Sequence, residues 1–316
     1  MSAAPAAEHR VLVFTKTAGY RHDSIPAAIE AVRTLGTTSG FDVDATEDAA
    51  VFTRARLARY GAVVFLLTTG DVLEDAQQAA FTAYIRSGGG FVGVHSATDT
   101  ERDWPWYGRL VGAWSSGHPE IQAATIDVVS PPDASTMHLP ARWARTDEWY
   151  GFLSNPRRNG VRVLLTLDEA TYQPRDWAMG ADHPIAWRHE FDGGRAWYTE
   201  GGHTAESYAE PLFVGHLLGG IRYALGGASP LLAPTMRSLN LTVRRGRVLV
   251  SLRASRCSPC TAILRVRSKS VRLRMAGGIA NGSSASLPRG RWQVAVVLTD
   301  RDSRLSRTVR RWVRIA

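Results

Sequence analysis

Residues 87–100 read Ser-Gly-Gly-Gly-Phe-Val-Gly-Val-His-Ser-Ala-Thr-Asp-Thr, and this stretch limits the possible folds more than any other. Its three glycines end a helix that carries Phe81, Tyr84 and Ile85, because only glycine enters the left-handed C-cap region without steric cost. Phe91, Val92 and Val94, with Gly93 among them, then form the short apolar run of a strand buried on both faces of a parallel sheet. His95 stands where that strand stops. In open α/β sheets the carboxyl ends of the strands border the ligand crevice, so an imidazole there, followed by Ser96, Asp99 and Thr100, is placed for chemistry. A buried histidine capping the strand end is the plainer reading of the same position.

The alternation extends in both directions. Residues 10–15, 41–46 and 62–68 read as strands, with helices after Ser24, around Leu57 and over residues 73–86. Ser24 can N-cap the first of these. Strand and helix alternating at this spacing predict a doubly wound, mostly parallel, flavodoxin-like sheet. Beyond residue 100 the pattern loosens: strands at 121–129 and 161–167, a hairpin across 182–199 turning near Asp192-Gly193-Gly194, and a helix over 212–223. The Gly/Pro-rich run 226–234 reads as a linker. Six or seven short strands follow, several alternating arginine with an apolar residue as in Leu264-Arg-Val-Arg267, the pattern of a small β-sandwich with a charged outer face. The expected organisation is a disordered N-terminus (1–9), an α/β domain (10–226), a linker (227–236) and a basic all-β domain (237–316).

Charge divides the chain in the same place. Of 38 basic and 29 acidic side chains, residues 1–229 hold 19 and 27, and residues 230–316 hold 19 and 2. The net +9 therefore belongs to the second part alone. Arginine-rich composition also arises without a polyanionic partner, and a nucleic-acid role is not expected. No run of about 18 apolar residues occurs, so no membrane-spanning helix is expected. Cys257 and Cys260 are the 2 cysteines, both in the basic tail, which excludes thiol chemistry from the first domain. A tight local disulfide in an exported protein is the expectation for them. The Ala/Pro-rich start fits a chain trimmed after a signal peptide, placing the protein outside the cell or at its surface; a cytoplasmic start reads equally well.

Several polar residues lie at element ends. His22 follows the first strand, Asp147 and Glu148 stand as paired carboxylates between hydrophobes, and His203 and Glu206 open the last helix of the α/β domain, where free N–H groups favour anions. Trp104, Trp106, Tyr107, Trp149 and Trp187 either make a small core or offer flat faces to sugar rings. His216 falls in an apolar helical stripe and reads as structural.

Gly19-Tyr-Arg-His-Asp-Ser24, Thr68-Thr-Gly-Asp-Val72, Gly88 to Thr100, Trp104-Pro-Trp-Tyr-Gly108, Gly117-His-Pro119, Thr146-Asp-Glu-Trp-Tyr150, Asp182-His-Pro-Ile-Ala-Trp187 and Gly202-His-Thr204 together resemble the ThuA-like, trehalose-utilisation family. That resemblance covers nearly all of residues 10–226 and implies the class I glutamine amidotransferase-like fold. His95 then takes the position of the nucleophilic cysteine, which removes glutaminase activity by that mechanism. The tail lies outside the resemblance and looks like an Ig-like or fibronectin-like module.

The family implies carbohydrate metabolism and suggests oxidised (3-keto) disaccharides. The leading expectation is a sugar enzyme of hydrolase, lyase or isomerase type. A ketone acidifies the neighbouring C–H, so a base and an electrophile at the carbonyl oxygen suffice for isomerisation or elimination. His95, His22, Asp99, Glu148 and Glu206 are the expected catalytic groups; Tyr20, Trp104, Trp106, Asp147, Trp149 and His183 are expected to bind substrate. His22, His95 and His203 could hold a divalent metal such as zinc. The competing expectation is a non-catalytic extracellular carbohydrate-binding protein using the tryptophan faces.

Overall fold

A computed structural model describes residues 10–129, 133–226, 235–255, 260–267, 269–276, 279–300 and 306–315. The chain divides into two compact units, Met1–Ser229 and Pro230–Ala316.

In the first unit the order is β1 (Arg10–Phe14), α1 (Ile25–Ser39), β2 (Asp42–Thr46), α2 (Arg54–Leu57), β3 (Ala62–Leu66), α3 (Asp75–Arg86), β4 (Gly90–Val94), α4 (Pro105–Val111), β5 (Ser115–Gly117), β6 (Gln122–Val128), β7 (Arg142–Asp147), β8 (Gly151–Phe152), β9 (Arg162–Asp168), β10 (His183–Phe191), β11 (Gly194–Thr199) and α5 (Pro211–Ala224). Nine strands make one sheet, in the order β2-β1-β3-β4-β11-β10-β9-β6-β7. The five strands from β2 to β11 pair in parallel and the rest antiparallel. The mostly parallel expectation thus describes one half of the sheet. Antiparallel pairing begins at the tight hairpin between β10 and β11, where Asp192 and Gly193 both take positive φ (48° and 93°), as a two-residue loop between twisted strands requires.

Alternation along β1, β3 and β4 divides the core in two. Val11, Val13, Val64, Val92 and Val94 face α1 and α5, while Leu12, Phe14, Val63, Phe65 and Phe91 face α3 and α4. Both faces are covered, which is why these strands read as unbroken apolar runs. At Gly90 the Ala224 carbonyl approaches so closely that a Cβ would run into backbone. Gly90→Ala is therefore expected to lower stability by roughly 3 kcal/mol, measured by urea unfolding.

His216 on α5 is fully buried, with Nδ1 2.7 Å from the Ser135 carbonyl and Nε2 3.2 Å from Thr199 Oγ1, the structural place expected of it. Burial lowers its pKa to about 3. The unfolded chain takes up this proton near pH 6.5 and the native state does not, so stability is present above pH 6.5 and is lost as pH falls toward 3. Expected is an imidazole NMR shift for His216 that stays unchanged from pH 7.5 to 4.5; a titration midpoint near 6.5 would contradict it.

Ser24 stands at the N-cap of α1 without capping it; its hydroxyl instead reaches the Gly202 carbonyl at 3.5 Å. Among the described residues no helix is long and apolar enough to cross a membrane.

The second unit holds β12 (Thr235–Arg244), β13 (Arg247–Ser255), β14 (Cys260–Val266), β15 (Lys269–Ala276), β16 (Ile279–Ser283), β17 (Gly290–Asp300) and β18 (Ser306–Ile315). They form one antiparallel sheet in the order β12-β13-β16-β15-β14-β17-β18, curled so that β12 approaches β18 around a core of Val250, Leu252, Leu264, Val294 and Val296. It is the separate all-β module expected after the α/β domain. Residues 1–9, Cys257 and most of the linker lie outside the described residues, and with them the expectations of a disordered start and of the local disulfide.

Candidate metal centre

Because β1, β4 and β11 run parallel, the loops after them leave from one rim of the sheet. These loops carry His22, His95 and His203. Glu148, directly after β7, completes a group whose ligand atoms all lie within 4.8 Å of one another.

His95 adopts φ 53°, an uncommon backbone for a residue with a side chain. Its carbonyl accepts hydrogen bonds from the hydroxyls of Tyr198 (2.9 Å) and Thr98 (3.3 Å), which hold the turn. Nδ1 lies 2.7 Å from the Glu200 carbonyl, an acceptor, so Nδ1 carries the hydrogen and the neutral ring presents a lone pair at Nε2. Around Nε2 stand Tyr150 Oη (2.8 Å), His203 Nδ1 (3.1 Å) and Glu148 Oε2 (3.3 Å). His203 Nδ1 is in turn 3.1 Å from Glu148 Oε2. The His22 ring centroid is 4.9 Å from those of both His95 and His203.

This arrangement has more lone pairs than hydrogens. A carboxylate only accepts, His95 Nε2 has already been assigned a lone pair, and the Tyr150 hydroxyl supplies one hydrogen. Buried His22 Nδ1 has no partner at all. An ion at the centre satisfies these atoms together, and three imidazoles with a carboxylate form a donor set that suits a divalent transition metal. The four residues could therefore hold a metal.

The electrostatics of His22 and Glu148 suit ligation, while Glu148 pulls His203 toward its protonated form. Burial, then the neighbouring His95 and His203, lowers the pKa of His22 to about 3, so it offers a neutral ring. Burial alone would raise the Glu148 carboxyl, but the hydrogen bond from His203 and the close approach of the His95 ring hold it well below the usual carboxylate range. For His203 burial works downward and is outweighed by Glu148, which raises it. Burial, reinforced by Glu148, pushes the Tyr150 phenol well up and keeps it protonated.

A second layer orients the first. Buried Asp147 accepts from the backbone N–H of Gly202 (2.8 Å) and His203 (3.1 Å), from the Ser207 hydroxyl (3.1 Å) and from Arg145 (2.8 Å). His118 Nδ1 lies 3.1 Å from Glu148 Oε1. Glu200 is fully buried and its carboxyl is pushed well above its normal range by that burial; Oε1 accepts from the Tyr150 N–H at 2.5 Å.

Above the cluster opens a cavity of about 470 Å³, lined by Tyr20, His22, Thr69, Ser96, Asp99, Arg102, Ser115, Ser116, Gly117, His118, Glu148, Tyr150 and His203. Its size is that of a small-molecule site. His95 does not line it: the ring is fully buried beneath the other three. That position suits a ligand and gives no direct access to substrate, so of the two roles expected for His95 the geometry retains one.

The expected residues separate clearly. His22, His95, His203 and Glu148 converge. Tyr20, 64% exposed, edges onto His22 at 4.8 Å and stacks over His203 at 6.5 Å. Asp99 lines the cavity and holds Arg102 at 2.8 Å. Asp147 is an internal brace with no surface for substrate. Glu206 is exposed on the single turn 205–209 and does not line the cavity, because that turn directs it to solvent.

The aromatic expectation is corrected. Trp149 and Trp187 are fully buried, with Nε1 donating to the carbonyls of Gln122 and Val111. Trp106 is nearly so, packed against Phe81 and Phe191, and Trp104 stacks on it at 5.0 Å. Trp106, Trp149 and Trp187 are thus in the core, and half-buried Trp104 does not line the cavity. His183, fully buried between the Tyr150 carbonyl (2.7 Å) and Glu169 (2.8 Å), supports Tyr150 and does not reach the cavity. Tyr150 is not singled out by the sequence and His118 only as a weaker candidate than His183, although both stand in the motifs Thr146–Tyr150 and Gly117–Pro119.

Comparison with known proteins agrees with this architecture. A ThuA-like protein of Bacteroides uniformis matches with TM-score 0.61 and 24% identity over 71% of this chain and 94% of its own. One from Parabacteroides merdae matches with TM-score 0.58 and 20% identity over 70% and 91%. At these identities the likeness is one of fold. No curated protein matches the sequence. The family model described as ThuA, trehalose utilisation, matches residues 10–224, the whole unit that carries the histidine cluster, and the chain belongs to that family.

Proposed function

We propose that the protein is a metal-dependent enzyme acting on a keto-sugar or its glycoside, with zinc held by His22, His95 and His203 beside Glu148. The observation that carries this reading is the convergence of four ligand atoms at the floor of a cavity of sugar size. When bound, the ion would supply Lewis-acid polarisation of a substrate oxygen.

The remaining work belongs to side chains. With the ion on the three imidazoles, the Glu148 carboxylate would be free as the base for the proton on the carbon beside a ketone, and ligation of His203 and His95 would remove the contacts that now depress its basicity. Tyr150, kept protonated, donates a hydrogen bond to developing oxygen charge. The Ser96 hydroxyl, buried and without a partner, together with Asp99 and Arg102, offers hydrogen bonds to sugar hydroxyls. A purely binding role is disfavoured, since Trp106, Trp149 and Trp187 are in the core and Trp104 is half-buried against Trp106, away from the cavity lining.

The test is zinc-loaded protein with a 3-keto disaccharide in D₂O, followed by proton NMR. Exchange of the proton beside the ketone, or release of the second sugar, is expected, with a loss of at least about 100-fold in Glu148→Gln. Metal-loaded wild-type protein that leaves the signal intact and releases nothing would refute the proposal.

A further inference from the structure

The outer surface of the seven-stranded unit is more organised than its composition requires. Buried Leu264, Val266, Val294, Val296 and Leu298 fix which side of β14 and β17 faces the core, so the intervening residues face out. Residues directly opposed in an antiparallel ladder share a face. Arg265 opposes Ala295, which opposes Arg310; Arg272 opposes Ile263; Arg291 opposes Arg314; Arg274 opposes Asn281. Six exposed arginines thus stand on one face of β15-β14-β17-β18. Trp312, 60% exposed, lies among them on β18, with the Arg291 guanidinium 5.2 Å from its ring centre.

The unit has no internal answer to this charge. Its side-chain carboxylates are Asp300 and Asp302, against 19 basic residues. Like charges directly opposed, as at Arg291 and Arg314, destabilise a sheet unless an anion lies between them. Guanidinium groups match carboxylates two bonds at a time.

We propose that this face docks an acidic polysaccharide, a chain of sugar rings bearing carboxylates, with arginines pairing to the carboxylates and Trp312 stacking on a ring. Two observations favour it over nucleic acid. Trp312 is the one large exposed aromatic of the face among the described residues, whereas a sheet that reads single strands presents successive stacking platforms. The arginine face also continues at Arg274 into Asn281, Ser251 and Asn240, a row of uncharged amide and hydroxyl groups beside a shallow trough of about 410 Å³, complementary to sugar hydroxyls. This inference does not depend on the reading of the histidine cluster.

The test uses the full-length protein at about 150 mM NaCl, where weak surface attraction is screened. Probes are polygalacturonate, neutral dextran, a single-stranded DNA oligomer and phosphatidylglycerol vesicles. Expected is binding to polygalacturonate and none to dextran. Arg291→Glu with Arg314→Glu should weaken it at least about 10-fold, and the uncharged change Trp312→Ala about 5-fold or more. Arg265→Glu with Arg310→Glu serves as the second variant should the first pair fail to fold, judged by near-UV circular dichroism. Absence of polygalacturonate binding, an unchanged affinity in Trp312→Ala, or DNA or vesicles binding as tightly at equal charge would each overturn the proposal.

Discussion

His203→Ala is expected to lose its metal: elemental analysis should find about one divalent ion per chain in wild-type protein and almost none in the variant. His203 supplies a ligand nitrogen and meets both His95 Nε2 and Glu148 Oε2 at 3.1 Å. Its ring is half-buried at the cavity wall and not in the core, so removing it should leave the fold intact. Outer-layer partners of metal ligands alone change affinity about 10–100-fold, and loss of a ligand should exceed that. Melting temperatures with chelator present should agree to within a few degrees. Wild-type protein that takes up no zinc, or a variant that binds it equally well, would remove the metal centre.

The second large effect lies behind the site. Asp147→Ala is expected to cost about 2–4 kcal/mol of stability, because it removes one of the two carboxylates that pair with buried Arg145, leaving Glu210 at 3.0 Å, and strips acceptors from the Gly202 and His203 N–H groups. Urea unfolding with chelator present measures this free of any contribution from bound metal. Asp147→Asn, which keeps the shape and one oxygen, should fall between the two. In metal-loaded protein either change should also weaken binding, since Asp147 fixes the backbone on which His203 stands.

The strands that read most clearly from sequence were those buried on both faces. β1, β3 and β4 are apolar without interruption because helices cover each side, and so the parallel half of the sheet was legible. In the antiparallel half β6, β9 and the β10–β11 hairpin were legible as strands, but part-exposed β7 was not, and nothing local to β6, β7 and β9 records which neighbour they join. His22, His95 and His203 could be placed together in advance because parallel strands leave the sheet on one rim. Glu206 could not be placed, since the direction of one turn decides whether it meets the cavity or water. The tryptophans failed as binding faces for a related reason: a ring beside polar residues in sequence has the same local pattern whether or not a later segment covers it. Trp187 is enclosed by Tyr198, Phe152 and the end of α4, where Gly112 leaves room for its ring.

Local order in the chain determined the elements, the change from an acidic α/β unit to an arginine-rich β unit, and the positions of the imidazoles at strand ends. These follow from apolar periodicity and from glycine's backbone freedom, which act over a few residues. The tertiary structure alone decided that His95 lies under the cavity and not in it, that Tyr150 and His118 join the cluster, and that Asp147 is a brace. Those outcomes depend on contacts between residues far apart in the chain, such as Tyr150 with His95, His118 with Glu148 and Asp147 with Gly202, whose energies no local pattern encodes.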